Sequence, residues 1–143
     1  MNYSKITIKL IAMKVRKLGE VKAEQTSGGI FTGEVTIKRV YGRETGATSL
    51  NVSLVSFPAG VRNTWHTHEH DQCLWILSGR GKVVSREKEY AAEPGMAFFI
   101  SAGESHWHGS VGEDFSHISI IGGTSPVKAD EPNPFKSQPA SIS

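Results

Sequence analysis

From Glu34 to Gly122 the chain is a succession of short β-rich runs, each closed by a turn signal. The breaks fall at 42–46, 58–60, 78–81, 93–95, 102–104 and 112–114, all built from Gly, Pro, Glu, Asp and other small or polar residues. Glycine and proline at such spacing stop a strand before it can grow long. The runs between them predict strands near 33–41, 49–57, 61–68, 72–78, 80–86, 88–92, 96–100, 105–109 and 115–122. No useful stretch carries a helical period. Many short strands joined by Gly/Pro turns can bury their apolar faces only as a sandwich or a barrel, so the fold class is all-β.

A chain of 143 residues fits one domain with a real core. We divide it into N-terminal edge strands or an arm over 1–32, a β-barrel over 33–122, and a Pro-rich arm or disordered tail over 123–143. Met13 offers an alternative start, since Met13 to Leu18 begins an edge strand by itself. The formal net charge is only +2. Lys5, Lys9, Lys14, Arg16, Lys17 and Lys22 gather near the N-terminus, beside Glu20 and Glu24. They read as a solvated charged edge, so no nucleic-acid partner is expected. No apolar run reaches transmembrane length, and no membrane partner is expected. A lone cysteine, Cys73, excludes an intramolecular disulfide framework, and a cytoplasmic location is the default.

The chemistry concentrates in two stretches. His66 and His68 stand two apart, so a strand would aim both imidazoles at one face. Gln72 follows four residues after His68, with room for a turn between, and His106 arrives on a separate strand. Three neutral imidazoles and an amide oxygen can hold one divalent ion with positions left open. The alternative for Gln72 is a role outside the ligand set, since an amide is a weaker donor than a carboxylate. Glu69 and Asp71 lie off the Gln72 parity and read as solvated turn residues. Glutamine in place of a carboxylate leaves the ion close to its full charge, which favours a bound anion and disfavours a high-valent state. His108, two residues past His106, is a hydrogen-bond donor beside the ligands, a proton carrier or simply a rim residue. His117, on the last strand with Ser119 and Ile121 on its face, is either a general base or a core histidine. On the 72–78 strand, Gln72, Leu74 and Ile76 share one face, and Cys73, Trp75 and Leu77 the other. Both faces are apolar, which predicts that both are covered, one by the barrel interior and one by another sheet or subunit. Asn51 and Ser53 either line a pocket or lie on a half-exposed face.

Gly60, His66, His68, Gly79 and then Pro94, Gly95, Gly103, His106 resemble the paired motifs of the cupin superfamily, with Gln72 where most members carry Glu. The resemblance covers roughly residues 33–122 and implies a jelly-roll barrel, the double-stranded β-helix. Within it, Trp65 to His68, Gln72, His106 to Gly109, His117 and Phe31 to Gly33 look like a group of small bacterial cupins that includes manganese-dependent hydroxynitrile lyases. That likeness implies Mn²⁺, or else Fe, Ni or Zn, on His66, His68, Gln72 and His106, with His117 and His108 as acid/base or orienting groups. His117 is then expected to move the proton and His108 to orient. A hydroxyl residue often stands three before the first ligand in this group; here Asn63 stands there. The leading expectation is a lyase-like enzyme acting on a small molecule. The alternatives are a non-haem metal dioxygenase and a non-catalytic sensor or sugar-binding cupin. A homodimer is expected from the apolar outward face and N-terminal pieces.

Overall fold

The computed structural model describes residues 13–123 and 127–130. Eleven strands form within them: β1 (Ala23–Thr26), β2 (Val35–Tyr41), β3 (Leu50–Phe57), β4 (His66–Thr67), β5 (Gln72–Ser78), β6 (Gly81–Ser85), β7 (Glu89–Ala92), β8 (Ala97–Ile100), β9 (His106–Ser110), β10 (Phe115–Gly122) and β11 (Lys128–Ala129). The only helical pieces among the described residues are two single 3₁₀ turns, Leu18–Glu20 and Arg43–Thr45. No helix among the described residues is long and apolar enough to cross a membrane.

The strands make two antiparallel sheets. One runs β1-β2-β3-β10-β5-β8 and the other β11-β4-β9-β6-β7. The all-β, two-sheet expectation of a jelly roll therefore holds. Each inner face is set by the period-2 alternation of its strands. On β5, Gln72, Leu74 and Ile76 are buried, while Trp75 and Leu77 are exposed. On β10, His117 lies between Val55 of β3 and Ile76 of β5. Val35, Ile37, Val55, Phe57, Leu74, Ile76, Val83, Ala92, Ile100 and Phe115 form one core cluster. Phe57, Phe115, Leu74 and Ile76 are almost wholly enclosed, and burying each such side chain contributes roughly 1.5–3 kcal/mol.

One predicted strand forms only in part. The 61–68 run keeps just β4. Before it, residues 61–64 divide their hydrogen bonds between two neighbours. Thr32 N–H donates to the Arg62 carbonyl and Thr64 N–H to the Ile30 carbonyl, while Ser110 N–H donates to Val61 and Asn63 N–H to His108. A segment shared between partners on two sides cannot keep one ladder. Gly109 is what lets it lie so close: a Cβ there would sit 2.4 Å from Arg62 Cα. On the outer side of β5, Trp75 is half exposed and Phe99 of the paired strand β8 more so, so nothing among the described residues covers this face.

The N-terminal pieces up to residue 12 lie outside the described residues. Of the 1–32 arm, β1 pairs along its whole length with β2 at the edge of the six-stranded sheet. Of the Pro-rich stretch, 127–130 is described, and β11 pairs with His66–Thr67.

Candidate metal centre

His66 and His106 are lateral neighbours, paired across β4 and β9 of the five-stranded sheet. Gln72 opens β5 on the opposite sheet, and His68 follows β4 in the turn that leads there. The site therefore bridges the two sheets. Nitrogens of His66, His68 and His106 lie within 4.8 Å of one another. His66 and His106 are almost wholly enclosed.

Hydrogen bonds decide which nitrogen each ring offers. His66 Nδ1 is 2.6 Å from the Thr64 carbonyl and His106 Nδ1 is 2.8 Å from the Glu104 carbonyl. A carbonyl only accepts, so each Nδ1 carries the proton and each Nε2 keeps its lone pair. His66 Nε2 and His68 Nε2 are buried without a hydrogen-bond partner. His106 Nε2 faces Gln72 Oε1 at 3.1 Å. With the proton on Nδ1, that is one acceptor facing another, an arrangement a shared cation relieves. Gln72 Nε2 donates to Ser119 Oγ at 3.0 Å, which turns its Oε1 toward the histidines. Buried lone pairs left unpaired in this way are costly unless an ion takes them. The residues fit a divalent metal: His66, His68 and His106 can hold one.

Beside these residues sit two more buried histidines. His117 Nε2 is 2.9 Å from His108 Nδ1, and both rings are buried. His117 thus has a ring partner, whereas the sequence reading left it uncommitted. The cavity in front has a volume of about 380 Å³. Its lining includes His66, His68, Gln72, His108 and His117, with Asn51, Ser53 and Ser119 on the six-stranded sheet. Asn51 and Ser53 therefore face a pocket. Two features were missed in the sequence: residues 26–30, which line the cavity, and Arg39, an exposed residue at its edge whose parity with Ile37 on β2 could have placed it on that side. Asp71, read as a solvated turn residue, accepts a hydrogen bond from Ala102 N–H and so ties the two turns together. Trp65 and Trp107 turn away from the cavity, under the guanidinium groups of Arg86 and Arg62.

Burial dominates the electrostatics. It lowers His66 and His108 well below the ordinary histidine value, with repulsion from neighbouring imidazoles adding to the effect. His106 is lowered by burial against the opposing pull of Glu104 and Asp130. Burial lowers His68 and His117 to about 4. All five rings are therefore neutral near pH 7, the form a metal needs. The consequence for stability has a definite sign. His117 takes up protons at about 6.5 in the unfolded chain but only near 4 when folded. Full stability is thus present above about pH 6.5 and is lost as pH falls towards 4. Denaturant titration of metal-free protein should show this loss, on the order of 3 kcal/mol from His117 alone. A flat profile over that window would contradict the buried neutral ring.

Residues 53–121 match the cupin domain family. The (R)-mandelonitrile lyase of Granulicella tundricola is 33% identical over 111 residues, covering 76% of this chain and 83% of that protein. A cupin-like protein from Thermotoga maritima superposes with a TM-score of 0.70 at 26% identity, over 87% of this chain and 98% of that one. A polyketide cyclase from Streptomyces resistomycificus does so with a TM-score of 0.76 at 20% identity, over 90% and 95%, a likeness of fold. The paired glycine-histidine stretches, the two-sheet barrel they build and these relatives agree: the chain belongs to the cupin family.

Proposed function

We propose that the protein is a metal-dependent lyase that cleaves a carbon–carbon bond next to a hydroxyl group, as in a cyanohydrin. The observation that carries this is the convergence of histidine lone pairs beside a second, hydrogen-bonded histidine pair, inside a cavity of small-molecule size. The relative named as an (R)-mandelonitrile lyase supports the substrate class. His66, His68 and His106 through Nε2, with Gln72 through Oε1, would hold the ion. Mixed imidazole and amide ligation suits Mn²⁺ or Fe²⁺. When bound, the ion supplies Lewis acidity to a substrate oxygen or nitrile.

The chain's own residues do the rest. The His108–His117 pair accepts the hydroxyl proton as the bond to the nitrile carbon breaks, a carbonyl forms, and the proton passes to the departing cyanide. Ser119 holds the Gln72 amide in one orientation. Ile30, Phe31, Val55 and Ile121 supply an apolar wall for the substrate's body. Elemental analysis followed by cyanohydrin cleavage with the metal found tests this reading. Metal-loaded protein that leaves aromatic and aliphatic cyanohydrins intact would overturn it.

The neutrality of Gln72 gives a separate prediction. Gln72→Glu adds a negative charge beside the ion, so metal stays bound while azide affinity falls. Azide titration followed spectroscopically reads this directly, and tighter azide binding in the variant would refute the account.

The proposal extends to assembly. Trp75, Leu77 and Phe99 form an exposed apolar patch on the six-stranded sheet, which a second copy would cover. Light scattering at micromolar concentration should give twice the chain mass, and a monomer would count against it.

A further inference from the structure

Arg39 interrupts the apolar parity of its strand. On β2, Val35 and Ile37 are core residues, and two positions further along the same face stands an exposed arginine at the edge of the cavity. The sheet register sets its neighbours. Arg39 pairs directly with Ser53 of β3, and Ser53 with Ser119 of β10. Cross-strand partners hold their Cβ atoms about 5 Å apart, close enough for one small group to touch both side chains. Asn51 precedes Ser53 by two residues and lines the same cavity. Ser53 is buried, yet its hydroxyl contact with Asn51 Oδ1 is 3.5 Å long, at the outer limit of a hydrogen bond. A buried hydroxyl held so loosely keeps bonding capacity for a ligand. Ser119, one strand further in, already accepts from the Gln72 amide.

The charges agree with this polar row. Among the described residues that line the cavity, Arg39 is the one lysine or arginine, and none is an aspartate or glutamate. The candidate metal ligands are neutral imidazoles and an amide, which cancel none of an ion's charge. Glu24 on β1 approaches the Arg39 Nε only to 3.6 Å, and both side chains are about half exposed. Such a pair is weak and leaves the outer fork of the guanidinium to a ligand.

We infer that Arg39, Ser53 and Asn51 form a carboxylate-binding subsite, and that the substrate of this cavity is a small hydroxylated monocarboxylate. The inference rests on the proposed use of the histidine cluster to take a substrate oxygen, and it names the far end of that molecule. Ser53, Ser119 and Gln72 lie on three successive strands, β3, β10 and β5. Two strand spacings are roughly 10 Å, so the hydroxyl and the carboxylate stand at opposite ends of the substrate rather than on adjacent carbons. An aromatic ring or a short chain between them lies against the apolar wall.

The test compares 4-(hydroxymethyl)benzoate with 4-methylbenzyl alcohol, by calorimetry on zinc-loaded protein. Both carry the hydroxyl, and only the first carries the distal charge. The wild-type chain should bind the acid about tenfold more tightly at low salt, and the preference should shrink as salt is added. Arg39→Gln should bring the acid down to the affinity of the alcohol. Glu24→Gln should widen the preference, because it removes the carboxylate that competes for the guanidinium. Equal binding of the two probes by the wild type would overturn the inference, with no variant required to fold. A preference retained in Arg39→Gln would place the carboxylate on the metal and overturn it as well. The lyase reading fails or stands separately. Protein that shows the Arg39-dependent preference but cleaves no cyanohydrin keeps the subsite and loses the reaction. Cleavage without that preference does the reverse.

Discussion

Replacing His66, His68 or His106 by alanine should empty the metal centre in each case, while leaving the barrel folded. Each ring brings one buried lone pair to the cluster, and His66 and His68 have no other partner for it. An ion that loses one of so few protein ligands must take water in an enclosed site. Loss of an outer hydrogen-bonding partner alone costs about 10–100-fold in affinity, so loss of a ligand should exceed that. Elemental analysis after dialysis should read about one ion per chain for the parent and a small fraction for each variant. Full occupancy in all three variants would remove the site. Acidification below about pH 4, where His68 takes up a proton, should mimic the substitutions, because protons then compete for the same lone pairs.

The second large effect concerns the buried pair. His117→Ala should keep its metal and lose roughly 10²–10⁴-fold in cyanohydrin turnover, the range a positioned proton-transfer group contributes. The ring lies on β10, and its Nε2 meets His108 rather than the cluster, so metal content has no reason to change. His108→Ala should lose a comparable amount, since it removes the other partner of the same hydrogen bond. The two losses should not add: removing either ring destroys one shared hydrogen bond, so the double variant should be no slower than the worse single. Rates measured at saturating substrate separate this from weakened binding. A fully active His117→Ala protein would take the ring out of the mechanism.

Much of this was legible in the residues. Turn chemistry placed the strands of the barrel within a residue or two, because Gly and Pro act locally. Parity placed Gln72, Leu74 and Ile76 inside and Trp75 and Leu77 outside, because side-chain direction along a strand is also local. The 61–64 segment went wrong for a complementary reason. Its composition is strand-like, but its hydrogen bonds are shared between residues 30–32 and β9, a division that no single stretch encodes. The contact between His108 and His117 was equally hidden. β9 and β10 belong to different sheets, so the meeting of their rings depends on how the sheets pack, not on spacing. Asn63 looked like a mismatch in the resemblance, and its hydrogen bond from the His108 N–H became visible only with the backbone of β9 beside it.

The enclosure of the cluster has a consequence for the history of each molecule. His66 and His106 are almost wholly covered by the barrel. An ion held by all three must release each imidazole in turn before it leaves through the cavity, which slows its exchange with free ions outside. Intrinsic affinity for such donors rises from manganese to copper, so a freely exchanging centre would drift toward whichever late transition metal is present. A slowly exchanging one keeps its first occupant. Two batches of identical sequence, produced in differently supplemented media, would then differ in colour, magnetism and rate for the life of the sample. Refolding each from denaturant with a chosen ion would erase that difference.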